Sequence, residues 1–246
     1  MMALLEFVLP RKQRSQPRST RWFANLGLVV VDTLALRALF PILAVGVAFW
    51  AEANGYGLFN LLGWPYWLTV ILTVILLDLA IYWQHVASHK IPVLWRFHKV
   101  HHADRDLDAS SGLRFHPIEI VLSMLYKFVV IILLGAPALG VFLFEILLNG
   151  SAIFNHANFR LPVRLDKIVR MLIVTPDMHR VHHSVLRREH DTNYGFNLSL
   201  WDRFFATYTD QPEAGHDGMT LGLKNHQSEK PSNLIWCLLF PFRNER

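Results

Sequence analysis

Apolar residues run almost without interruption through residues 23–50 and 58–84, each stretch longer than the ~20 residues a bilayer-spanning helix needs. Both predict membrane spans. Two further apolar stretches, 118–134 and 138–154, flank the turn signal Gly135-Ala136-Pro137 and predict a helical hairpin that returns the chain to the side it came from. From His156 onward the pattern is mixed and polar, and the apolar residues 234–242 are too few to cross, so they are expected to lie on the membrane surface. The expectation is an all-α integral membrane protein with about four transmembrane helices, two spans plus a hairpin, capped by a cytosolic helical metal-binding region. It forms one unit over 1–246: a basic N-terminus at 1–22, membrane helices over 23–154 with a histidine-bearing loop at 85–117, and a cap over 155–246.

Ionisable residues inside these stretches are costly in hydrocarbon. Asp32 and Arg37 weaken the first span unless they pair or lie near the interface. Lys127 and Glu145 stand nine residues either side of Ala136, so an antiparallel hairpin brings them to similar depth, as partners or with Lys127 snorkelling.

Composition agrees with the pattern: 52% of the 246 residues are hydrophobic and 17% charged. The net charge of +5 in a chain this apolar points to lysines and arginines flanking membrane segments, not to nucleic acid. Arg11, Lys12, Arg14, Arg18 and Arg21 precede the first span, and residues 90–105 are again basic, whereas 51–57 hold Glu52 and no cation. The positive-inside rule therefore places the N-terminus and first histidines in the cytoplasm. No secretory signal pattern opens the chain. The single Cys237 excludes an intramolecular disulfide and a thiolate metal site.

The chemistry lies in the histidines. His98-x-x-His101-His102 is repeated as His179-x-x-His182-His183, and His85-x-x-x-His89 adds a pair, so three short motifs hold eight of the thirteen histidines. On a helix, positions i, i+3 and i+4 fall within about 100° of arc, so each triplet projects its imidazoles from one face. Stacked neutral imidazoles gain nothing from packing and protonated ones repel, whereas neutral imidazole is a common ligand for zinc, iron and copper. The motifs predict metal binding. Thr175-Pro176-Asp177 reads as the start of the helix that carries the third motif.

Further candidates surround them. Asp78 shares the helical face of His85 and His89 two turns deeper, as an acid orienting a ligand or as a buried group bonded to a neighbouring helix. His116, before Pro117, is placed to cap the hairpin helix or to serve as a ligand. His156 returns to the membrane surface directly after the hairpin and is a candidate ligand. Asn193, in a turn near the third motif, is placed to hold a water or a histidine. His190, His216 and His226 lack such company and read as solvated loop residues. Trp201, Phe204, Phe205 and Tyr208 recur at helical spacing and read as a packing stripe.

The segments HVASH at 85–89, HKVHH at 98–102, RFHP at 114–117, NHAN at 155–158, HRVHH at 179–183 and NYGFNLSLWDRFFATY at 193–208 resemble the fatty acid hydroxylase/sterol desaturase family of integral-membrane di-iron oxygenases. In some members the first histidine pair is spaced one residue wider. The resemblance implies a four-helix membrane portion with a cytosolic cap and two iron ions held by the three motifs, with His116 and His156 as further ligands. It implies hydroxylation or desaturation of a lipid C–H bond, using dioxygen and electrons from a separate electron-transfer protein. Eight to ten nitrogen donors are too many for one ion and suit two, while imidazoles alone do not separate iron from zinc.

Other classes make different demands. A membrane haem protein would place isolated histidines on facing spans, and a metal transporter would place ligands near mid-membrane. A zinc hydrolase, with Asp177 or Glu189 as base, is the remaining alternative.

Overall fold

The computed structural model describes residues 1–243; their regular structure is helical, joined by loops, with three isolated β-bridges and no strand among the described residues. A short α1 (Met2–Val8) leads through a basic segment into α2 (Arg18–Leu39), the first helix long enough to cross a bilayer. The expected span at 23–50 is not one helix. Pro41 has no amide hydrogen to donate and breaks it, so that α3 (Ala44–Ala53) and α4 (Leu58–Leu62) follow as separate pieces. For the same reason Pro65 moves the start of the second span, and α5 runs over Tyr66–Lys90. After α6 (Pro92–His102), the hairpin helices α7 (Pro117–Leu134) and α8 (Ala138–Asn155) fall where the apolar pattern puts them.

Four segments are long and apolar enough to cross a membrane. Their outward side chains, Val30 and Leu34 on α2, Ile71 on α5, Val129 and Leu133 on α7 and Phe142 on α8, are exposed. Helices satisfy their own backbone groups, so such a surface is stable against hydrocarbon.

The two arms of the hairpin do not zip together. α7 packs on α2, α3 and α5, and α8 packs on α5 and α3. Gly140 permits the α5–α8 approach, because a Cβ there would meet the Thr73 side chain at 2.8 Å. Lys127 Nζ still reaches Glu145 Oε1 at 2.6 Å across the gap between the splayed arms. Asp32 and Arg37 do not pair: Asp32 is buried and Arg37 exposed.

The cap is built of short helices: α9 (Val163–Val169), α10 (Pro176–His182), α11 (Arg187–His190), α12 (Leu200–Phe204), α13 (Gly215–Gly218) and α14 (Leu234–Leu239). The expected helical stripe ends early. Helix α12 stops at Phe204 and Ala206 turns to a positive φ of 57°, so Tyr208 leaves the face of Trp201.

The basic N-terminal residues are engaged within the protein. Arg11 binds Asp177 at 2.9 Å and Arg18 binds Glu6 at 2.6 Å. Arg21, fully buried, meets both carboxylate oxygens of Asp104 at 2.9 and 2.8 Å and Asp108 at 2.6 Å. These ion pairs fasten the start of α2 to α1 and to the loop after α6, and the segment before α2 to the cap. Trp236, Cys237 and Phe240 of the apolar C-terminal stretch pack on Leu28, Val100 and Ala103, while Ile235, Leu239 and Phe242 point outward.

Candidate metal centre

Nine of the ten histidines singled out by pattern come together as two buried groups. The first contains His85, His89, His98, His102 and His182, the second His101, His156, His179 and His183, and within each group one ring nitrogen per residue lies within 4.8 Å of all the others. The motifs are interleaved. On α6, residues 98 and 102 are one turn apart and serve the first group, while His101 is turned far enough around the helix to serve the second. On α10 and its C-terminal cap the division is reversed: His179 and His183 join the second group and His182 the first. Each helix thus reaches into both groups, and the rings touch across the boundary, His102 stacking on His183 with centroids 4.5 Å apart.

The outward nitrogens fix the state of the rings. Nδ1 of His85 lies 2.8 Å from the Tyr194 carbonyl, that of His182 2.7 Å from the Thr192 carbonyl and that of His98 2.6 Å from Glu119 Oε1. In the second group Nδ1 of His101 lies 3.1 Å from the Arg114 carbonyl and that of His156 2.7 Å from the Ala152 carbonyl. A carbonyl or carboxylate only accepts, so each Nδ1 carries the proton and each Nε2 turns a lone pair inward. Gly112 lets its loop approach the end of α8 beside His156, since a Cβ there would lie 2.2 Å from the Ala152 carbonyl oxygen.

Those inward lone pairs have no hydrogen to share. Nε2 of His85, His98 and His182 is buried without a partner, as are both ring nitrogens of His89 and His102. In the second group, the Nε2 atoms lie 3.0 Å apart for His101–His156 and His156–His179, and 3.2 Å for His156–His183 and His179–His183. A tetrahedral ion with metal–nitrogen bonds of 2.0–2.1 Å separates its ligands by about 3.3 Å. The donor set fits a cation.

Burial and the neighbouring imidazoles push His101, His102, His179, His182 and His183 well below the usual histidine range. Burial takes His156 down to about 4, against the opposing pull of the Ala152 carbonyl. These rings are neutral at physiological pH, as coordination requires.

The structure does not bring His116 into either group. Its Nδ1 accepts from the Ile118 amide at 3.2 Å and its Nε2 lies 3.2 Å from the Leu238 carbonyl, so the geometry gives it the cap of α7. Asp78 stands one step behind the ligands. It accepts from Asn197 N and Nδ2, Leu198 N and Trp201 Nε1 at 2.8–3.2 Å, fixing the segment whose Tyr194 carbonyl holds His85. Asn193, at φ 52°, donates to the Met178 and Thr209 carbonyls and accepts from Thr209 N, tying α10 to the chain end of the same segment. Its side-chain hydrogen bonds go to backbone groups.

The three histidines read as solvated are all at least partly buried. His190 stacks on Trp95 at 5.5 Å and, with Asp191, forms a third, partly exposed group around His89. His216 is buried 3.8 Å from Asp177. His226 packs on Phe240 at 4.7 Å. Glu119, Asp191 and Arg114 carry functions that the pattern leaves hidden. Asp191 Oδ1 lies 3.5 Å from His89 Nδ1, and the Arg114 guanidinium binds the Val100 and Pro231 carbonyls and Asn25, holding α6, α2 and the C-terminal stretch together. Of these, only Glu119 announces itself, as the acid in the first turn of α7.

A cavity of about 270 Å³ reaches both groups. Its wall includes His85 and His98 of the first and His101 and His179 of the second, and it continues among α2, α5, α7 and α8 past Ile81, Met124 and Leu148. The splay of α7 from α8 opens it.

Known proteins resemble this chain in sequence. The chain is 28% identical over 229 residues to ornithine lipid hydroxylase OlsE of Rhizobium tropici, covering 86% of this chain and 65% of the relative. It is 30% identical over 171 residues to the alkylglycerol monooxygenase of Homo sapiens, covering 68% of this chain and 36% of the relative. It is 30% identical over 177 residues to the lathosterol oxidase of Mus musculus, covering 70% of this chain and 55% of the relative. The chain therefore spans about a third to two thirds of the length of these relatives. No solved structure matches it. The model of the fatty acid hydroxylase family matches residues 70–207, which hold every one of the nine grouped histidines, and the chain belongs to that family.

Proposed function

We propose that this protein is a membrane-embedded, di-iron lipid oxygenase, inserting oxygen at or desaturating a C–H bond of a bilayer lipid. One observation carries the reading: two adjacent groups of inward-facing imidazoles border a cavity that continues between apolar, membrane-length helices. The relatives act, by their names, on an ornithine lipid, an alkylglycerol and a sterol.

Two iron ions bound by the nine histidines would supply the redox chemistry, with R–H, O₂, two electrons and two protons giving R–OH and water for hydroxylation. The chain's own residues do the rest. Glu119 and the Tyr194, Thr192, Arg114 and Ala152 carbonyls orient the rings they bond and make them better donors. The apolar side chains of the cavity wall, among them Leu36, Ile81, Met124 and Leu148 of α2, α5, α7 and α8, hold the lipid beside the histidines. The electrons come from a separate carrier protein, and the histidine side faces the cytoplasm. A zinc hydrolase with Asp177 or Glu189 as base fits less well, because Asp177 is bound to Arg11, Glu189 accepts from the Glu213 amide, and neither lines the cavity.

The test is metal analysis of protein prepared with iron supplied, followed by lipid profiling of cells with and without the gene. Two irons per chain and one oxygenated or desaturated lipid that disappears with the gene, and with His98→Ala or His182→Ala, are expected. Full turnover in both variants would refute the ligand assignment.

A further inference from the structure

The cavity is more polar than a slot for a hydrocarbon chain needs to be. Beyond the histidines its wall carries Asp32 from α2, Glu119 and Lys127 from α7 and Glu145 from α8. Lys127 is spent on Glu145 at 2.6 Å. Glu119 gives Oε1 to His98, and its Oε2 is buried without a partner. Asp32 is 7% exposed, has no hydrogen-bond or ion-pair partner among the described residues, and has its Oδ1 buried outright. A carboxylate held against methylenes in the bilayer is strongly disfavoured, and such residues in spans mark sites where something polar is received. The oxygens left over all accept, and the cavity's lysine is already paired.

Resting on the oxygenase reading above, we propose that the cavity takes the polar end of its lipid, a head group bearing hydroxyl or amino hydrogens, and that Asp32 receives it. Glu119 Oε2 is the second acceptor. The lipid carbon presented to the histidines then lies near the head group, not far along an alkyl tail. At Asp32 and Glu119, phosphate and carboxylate head groups are disfavoured, because the lysine among the described residues of the cavity wall is already paired with Glu145.

The experiment measures binding, with no turnover needed. The metal-loaded full chain in nanodiscs is titrated with hexadecan-1-ol, hexadecylamine, hexadecyl methyl ether and palmitate, probes of matched chain length. Satisfying a buried acceptor that otherwise has no partner implies that the alcohol, the amine or both bind about tenfold or more tightly than the ether, with palmitate no tighter than the ether. The alcohol and amine arms separate a hydroxyl-bearing from an amino-bearing head. Asp32→Leu, with metal content unchanged, should bring the favoured probe to the ether's level, and Asp32→Asn should keep the alcohol while losing any preference for the amine. Equal binding of ether, alcohol and amine by the unaltered protein, tightest binding of palmitate, or full discrimination in Asp32→Leu would overturn the proposal. Should Asp32→Leu fail to fold, the ranking in the unaltered protein decides alone. A chain that favours the donor probes yet oxidises no lipid when given reductant and oxygen refutes the oxygenase reading and leaves the recognition site standing.

Discussion

Neighbouring residues His101 and His102 should bind different ions. Their rings diverge into separate groups, His101 with His156, His179 and His183, and His102 with His85, His89, His98 and His182. Structural zinc sites with four ligands bind with roughly 10–16 kcal/mol, or roughly 3–4 kcal/mol for each ligand, so losing one imidazole should weaken its ion by about 10²–10³-fold. The decisive comparison is between two double variants assayed for metal retained after dialysis against a graded chelator. His101→Ala/His183→Ala removes two ligands from one group and leaves the five-histidine group whole, so one ion should stay bound as in the unaltered protein. His101→Ala/His102→Ala takes one ligand from each group, so both ions should be lost at lower chelator concentrations. Were the ligands instead divided by motif, with 98, 101 and 102 on one ion and 179, 182 and 183 on the other, the outcomes would be exchanged. That exchange would refute the interleaved centre.

Other expectations are narrower. For His156, the folded-state value of about 4 lies below the ordinary value of 6.5, so the unfolded chain binds the extra proton between those limits. Its contribution to stability is therefore complete above about pH 6.5 and falls by about 3 kcal/mol as pH drops to 4, readable as acid-induced loss of metal and of helical signal in the same window. Arg21→Met strands the buried Asp104 and Asp108 carboxylates and should cost about 3–5 kcal/mol, measured as a fall of roughly 10 °C in Tm; an unchanged Tm would mean the pairs are not formed. Asp78→Leu frees the segment that carries the Tyr194 carbonyl and should weaken metal binding by about 10–100-fold without removing a ligand. Chelator competition against an unchanged control variant on the lipid-facing side, Val129→Leu, checks it.

The sequence alone determined a good deal. The apolar stretches located α7 and α8 to within a residue, because a bilayer leaves the helix as the only open-ended structure and an apolar run is its direct record. The repeat of three-histidine motifs pointed to residues that gather in the two buried histidine groups, because four-residue spacing is a local property of helices. Thr175 was legible as the cap of α10 for the same local reason, accepting from Met178 N at 3.4 Å. Only the tertiary structure decided how the histidines are divided between the two groups. Residues 101 and 102 differ by 100° of helix rotation, and which cation each meets depends on where α5, α8 and α10 pack around α6. Packing also decided that His116 caps a helix while His156 joins a group, that the hairpin splays to open a cavity, and that His190 is drawn onto Trp95. Helix periodicity is written in neighbours along the chain, whereas a carboxylate 21 residues away, Glu119 against His98, or one 102 residues away, Asp191 against His89, acquires its partner only through the fold.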